Sequence, residues 1–209
     1  MKLVLDQRNT FCVSLDQRWP AMEERLARLE VPCTRWKASL PDQLYERFAP
    51  HMNKYQKACC QSHVCLWREV LRLDLDYAFI MEDDILFSKD WRANLVALQE
   101  INDPDWDLIL LNASEKVEPE ATWTLCREQW LTGAYIVSKK GVQWLLANFP
   151  EKWEADWMTW RLQDQGHSYA FFPWPVIQEG KDSTIGSNVE ENRNKVLRLL
   201  GSRICSYIV

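Results

Sequence analysis

The chain has 209 residues, 47% of them hydrophobic, enough for one substantial core and too few for two. Its formal net charge is −5 with no basic run, which argues against nucleic acid or an anionic membrane as the main partner. No segment approaches the ~20 apolar residues of a membrane span and MKLVLDQRNTFCV lacks an apolar stretch of signal-peptide length, so the expected location is cytoplasmic.

Hydrophobic periodicity alternates between strand and helix along the chain. TFCVSL reads as a first strand, and PAMEERLARLE as a helix with Pro20 at its start and Met22, Leu26 and Leu29 on one face. CTRWKA is a short second strand. NKYQKACCQSHVCLWREVLRLD is a long helix expected to turn Ala58, Cys65, Leu66, Val70 and Leu73 inward, and it feeds a strand in YAFIM. A helix in WRANLVALQEI, a strand in WDLILLN, a loop in KVEPEATW and a strand in GAYIVS follow. Helices in KKGVQWLLANF and ADWMTWRLQDQ lead to SYAFFP, read as the last strand, and to a polar-faced outer helix in NVEENRNKVLRLL. This order predicts an α/β fold, a mostly parallel central sheet flanked by helices in one Rossmann-like domain.

Glu82, Asp83 and Asp84 follow the apolar run Ala78–Met81 and precede Ile85–Phe87. Three carboxylates beside a packed interior need neutralising, and a hard divalent cation such as Mn²⁺ or Mg²⁺ prefers such oxygen ligands. An acidic turn in solvent is the plain alternative. Ligands of α/β sheets bind beyond the carboxyl ends of the strands, which puts EDD on the same rim as the second of two LDQR copies, residues 15–18. Seven cysteines fit reduced thiols better than a disulfide framework. Cys59, Cys60, His63 and Cys65 make a poor zinc set, since only Cys59 and His63 share a helical face. Most of the twelve tryptophans, from Trp19 to Trp174, are expected in the core, with one or two lining a site.

Taken in order, FCVSLDQRWPAMEERL, CCQSHVCLWREVL, YAFIMEDDILFSKDW, WDLILLN, GAYIVSKKGVQWLL and PWPVIQEGKDSTIGSN resemble the successive blocks of glycosyltransferase family 25, the lipooligosaccharide and collagen-type sugar transferases. The resemblance implies a GT-A fold, a divalent metal, a nucleotide-sugar donor that is usually UDP-linked, and transfer of a hexose with inversion to a glycan, glycolipid or glycoprotein. It divides the domain into a nucleotide-binding part, residues 1–115, an acceptor-side part, 116–188, and a C-terminal helix, 189–209.

Carried over residue by residue, Glu82 and Asp84 match the outer positions of a DxD-like metal motif, Ser62 and His63 a serine–histidine pair, and Arg18 a basic residue of the first loop. Asp84 is the main expected ligand, with Glu82 at the ribose or a metal-bound water and Asp83 turned back into the fold. Ser14, Leu15, Asp83 and Gln178 complete the expected donor contacts, with Ser183 and Thr184 in a late loop over the donor. Ser14 departs from a common asparagine, and Ala58 from a glycine that often precedes the cysteine. For His63 and Arg18 the plain alternatives are a hydrogen-bonded core histidine and a surface arginine; His51 and His167 have no comparable support.

An inverting transfer also needs a base for the acceptor hydroxyl, and EKWEADWMTW offers Glu151, Glu154 and Asp156. Asp156 directly precedes the helical run WMTWRL, where a plain N-cap would also sit, so Asp156 is the first choice and Glu154 the second. Two rival functions remain. A metal-dependent phosphoester hydrolase would want a second carboxylate cluster or a nucleophilic aspartate. A degenerate domain that only binds sugar or a partner would have no need of the Glu82/Asp84 pair.

Overall fold

The computed structural model describes residues 3–179 and 189–208. The first half runs β1 (Thr10–Ser14), α1 (Trp19–Arg28), β2 (Thr34–Lys37), α2 (Lys54–Arg72), β3 (Tyr77–Glu82), β4 (Ile85–Ser88) and α3 (Trp91–Val96). It continues through β5 (Leu108–Leu110), β6 (Thr124–Leu125), β7 (Ala134–Ser138), α4 (Lys139–Asn148), α5 (Ala155–Leu162), β8 (Ser168–Ala170), β9 (Val176–Gln178), α6 (Val189–Leu200) and β10 (Tyr207–Ile208).

Seven strands form the main sheet in the order β2-β1-β3-β7-β5-β8-β6. β2, β1, β3, β5 and β8 run one way, while β7 and β6 run the other. The expected α/β architecture is therefore present, with an antiparallel strand at its centre. Central strands such as β1 and β7 are buried along their whole length, as strands covered on both faces must be. Alternate residues feed two cores. Phe11, Val13, Ala78 and Ile80 face α2, α4 and α5 through Trp67, Val142 and Met158; Cys12, Phe79 and Met81 face α1 through Met22 and Leu26.

α2 begins at a capping box in which Asn53 accepts from Tyr55 and Gln56 N–H and the Gln56 side chain returns to the Asn53 N–H. Leu73, expected to point inward, is instead its C-terminal cap residue and exposed, because the chain turns there through Asp74 at φ 56°. SYAFFP is not the last strand. β9 and β10 sandwich β4 in a second sheet of order β10-β4-β9, so the segments after EDD and near the C-terminus join one small layer. The tail helix is not wholly outside either, since Leu200 is buried and Val196 and Leu199 pack against the core. All seven cysteines are free, and no helix among the described residues is long and apolar enough to cross a membrane.

The topology gathers one rim. β1 and β3 are parallel and end at Ser14 and Glu82, while antiparallel β7 starts there, with Ala134 opposite Met81.

Candidate functional site

Asp83 organises the first loop. Its Oδ2 accepts from Ser14 Oγ at 2.9 Å and from the Leu15 N–H at 3.0 Å, and its Oδ1 from Arg18 Nη1 at 3.2 Å. Asp16, on the outer side of the same turn, pairs with Arg35 and Lys37 of β2. The Asp83 bonds turn both of its oxygens toward the first loop and tie that loop to the end of β3.

Glu82 and Asp84 are held differently. Gln178 Nε2 donates to Glu82 Oε2 at 3.3 Å and to Asp84 Oδ1 at 3.4 Å. Asn112 orients that amide: its Oδ1 accepts from the Ala134 N–H at 2.7 Å while its Nδ2 donates to Gln178 Oε1 at 3.4 Å. Thr132 Oγ1 adds a bond to Glu82 Oε1 at 3.4 Å. Neutral amides and a hydroxyl satisfy lone pairs without cancelling charge. Accordingly burial, reinforced by Glu82 and Asp83, pushes the Asp84 carboxyl up to about 7. An under-neutralised pair of carboxylates on a partly open rim suits a hard divalent cation.

His63, fully buried in mid-α2, is part of a chain of aromatic and polar groups. Trp67 Nε1 donates to the Tyr135 hydroxyl at 2.9 Å, the hydroxyl lies 2.9 Å from His63 Nδ1, and His63 Nε2 lies 3.3 Å from Glu82 Oε1. Since Trp67 can only donate, Tyr135 can give its own proton to Nδ1, leaving Nε2–H to donate to Glu82. Cys59 also faces this point: its sulfur, a His63 ring nitrogen and a Glu82 oxygen lie within 4.8 Å of one another. Burial and then Glu82 push the Cys59 thiol well up, so it is a neutral neighbour. Ser62 is not part of the cluster; its Oγ accepts from the Ser39 N–H and donates to Ala58 O, tying the segment after β2 to α2.

On the acceptor side, α5 starts at Ala155, two residues before the run WMTWRL. Glu154, not Asp156, holds the N-cap position, and its carboxylate meets His51 Nε2 at 3.1 Å. Asp156 sits in the first turn and accepts from the Trp157 N–H at 2.9 Å. Burial, offset in part by that bond and reinforced by Glu154 and Glu82, raises its carboxyl to about 6. Ser183 and Thr184 lie outside the described residues. Thr132, Gly133, Asn112 and Tyr135 went unassigned in the sequence, although each stands in or beside a strand whose end is on the rim. A Cβ on Gly133 would lie 2.4 Å from Gln178 Cγ, so only glycine allows Gln178 to reach the carboxylates.

The model of "Glycosyltransferase family 25 (LPS biosynthesis protein)" matches residues 34–160, more than half of the chain. The lacto-N-neotetraose biosynthesis glycosyltransferase LgtE of Neisseria meningitidis is 29% identical over 177 residues, covering 70% of this chain and 63% of that protein. The lipooligosaccharide biosynthesis protein lic2B of Haemophilus influenzae is 26% identical, covering 90% of this chain and 82% of its own length. The inactive glycosyltransferase 25 family member 3 of Mus musculus is 32% identical over 109 residues, covering 47% of this chain and 18% of that protein. The chain thus spans less than two thirds of LgtE and of the mouse protein.

Proposed function

The chain belongs to glycosyltransferase family 25, and from that premise we propose that it transfers a hexose from a nucleotide sugar, UDP-linked, to a saccharide acceptor with inversion. The names of LgtE and lic2B favour a glycan or glycolipid acceptor. The carrying observation is the Glu82/Asp84 pair, held by Gln178 but not neutralised by it, at the rim where Asp83 ties in the Arg18 loop, with Asp156 near enough for its charge to act on Glu82.

Glu82 and Asp84 would hold a divalent metal, Mn²⁺ or Mg²⁺, which when bound supplies positive charge to the departing diphosphate. Arg18, steadied by Asp83, presents a further cation on the nucleotide side. His63 fixes Glu82 through its ring proton. Asp156 takes the proton of the attacking acceptor hydroxyl; as the new bond to the anomeric carbon forms, the bond to phosphate oxygen breaks and nucleoside diphosphate leaves. Glu154 is the weaker candidate for the base because His51 occupies its carboxylate.

The test is a thermal-shift screen of UDP-, GDP- and CMP-sugars with and without Mn²⁺, with Asp84→Asn alongside. Wild type should be stabilised by a UDP-sugar only with metal, and Asp84→Asn should lose that stabilisation and all transfer while folding normally. Full transfer in EDTA would sink the metal assignment. A second reading, a binding domain without turnover, is favoured by the likeness to the inactive mouse protein; donor binding without product would support it.

A further inference from the structure

A row of indoles leaves the candidate base. Trp153 and Trp157 stack at 4.6 Å, Trp157 and Trp160 lie 6.5 Å apart, and Trp160 stacks on Trp130 at 5.6 Å and 17°. Trp153 and Trp157 pack against the main core, but Trp130 and Trp160 belong to neither core cluster, and Trp130 is 41% exposed. Core packing therefore accounts for one end of the row and not for the other.

The outer pair is nonetheless held firmly. Gln129 and Gln163 exchange two hydrogen bonds of 2.9 and 2.8 Å, and the Trp130 N–H donates to Ser114 Oγ at 3.0 Å. The Arg161 guanidinium lies 5.3 Å from the Trp160 ring and is tied to Asp164 at 2.8 Å. Such fixing lowers the ordering cost of binding. The pair also touches both halves of the site through the chain: Trp130 is two residues before Thr132, which bonds Glu82, and Trp160 is one helical turn after Asp156. Along the sheet the order is β1, β3, β7, so the loop before β7 that carries Trp130 lies across the carboxylates from the β1 loop assigned to the nucleotide.

We propose that Trp130, backed by Trp160, is the platform for the acceptor sugar, its indole face meeting the apolar C–H face of a pyranose ring and so presenting a hydroxyl toward Asp156. An indole provides a flat apolar surface of this kind with a polar N–H at its edge. The assignment rests on the glycosyltransferase reading above, and it names the acceptor subsite within it.

Saturation-transfer NMR on the full chain, with methyl β-D-galactopyranoside and lactose as probes, reads this directly. Wild type should give signals concentrated on the ring C–H protons of one face; Trp130→Ala should weaken binding at least tenfold and Trp130→Phe less, while the shift produced by UDP with Mn²⁺ stays the same in all three. Equal probe signals in Trp130→Ala, or none in wild type, would overturn the platform. As a check independent of variant folding, the probe should move the Trp130 fluorine resonance of 5-fluorotryptophan-labelled wild type, assigned with Trp130→Phe, and leave that of buried Trp67 in place; movement of neither overturns the proposal. Probe binding at Trp130 without any UDP response would reject the donor assignment and uphold the platform, so the two failures are distinct.

Discussion

Burial near Glu154 and Glu82 gives Asp156 a carboxyl of about 6, above the ~3.9 of an unfolded aspartate. A group with a raised folded value binds its proton more tightly in the fold, so stability falls as pH rises from about 4 to about 6 and the penalty is then constant. Asp156→Asn removes the penalty. At pH 7.5 the variant should be more stable than wild type, by roughly 3 kcal/mol, and the gain should vanish toward pH 4. The same carboxylate as base makes the opposite demand on turnover: kcat/KM should fall about tenfold per unit below pH 6, and Asp156→Asn should lose on the order of 10²-fold or more with donor affinity intact. A stabilised variant with near-normal turnover would leave Asp156 a buried first-turn acid and move the role to Glu154. Of these residues, the acidic triplet was legible because charge interrupts an apolar run. Thr132 and Asn112 were not, because each is an ordinary polar residue whose meaning comes from partners 50 and 66 positions away.

Strand ends on the rim must approach closely, and two glycines separate what that approach does for the site from what it does for the fold. Gly133→Ala would drive a Cβ into the Gln178 side chain, while Gly141→Ala would place one 2.6 Å from the backbone oxygen of Asp107, under α4 and away from the rim. Both should lower Tm. Gly133→Ala alone should also weaken the Mn²⁺-dependent donor response, by about tenfold, because Gln178 can no longer bridge Glu82 and Asp84; an unaltered response would show that Gln178 is dispensable there. The alternation of strand and helix was readable because each element carries its own period, but the reversed direction of β7 was not, since a strand buried on both faces is a continuous apolar run whichever way it points. β4, β9 and β10 were missed for a related reason: at four, three and two residues they hold too little pattern to be recognised.

Those short strands link the end of the chain to the carboxylates. Tyr207 and Ile208 pair with Ser88 and Phe87, and β4 pairs in turn with β9, setting Gln178 opposite Ile85, next to Asp84. Tyr207 is buried in the main core and its hydroxyl donates to Trp174 O at 2.5 Å, while Arg203 holds Glu120 at 2.8 Å. The tail is therefore a buttress behind the amide that holds the Glu82 and Asp84 carboxylates. Tyr207→Ala removes a buried ring and should cost about 3–5 kcal/mol, a fall in Tm of roughly 6–20 °C for a chain this size. Tyr207→Phe keeps the ring and orphans one carbonyl, so it should cost only about 1 kcal/mol. The decisive comparison sets Tyr207→Ala against Gly141→Ala, which disturbs the fold away from the tail. With both held well below their melting temperatures, a buttress requires that Tyr207→Ala weaken Mn²⁺-dependent donor binding while Gly141→Ala does not. Equal donor affinity in the two would confine the tail to global stability and detach it from the site.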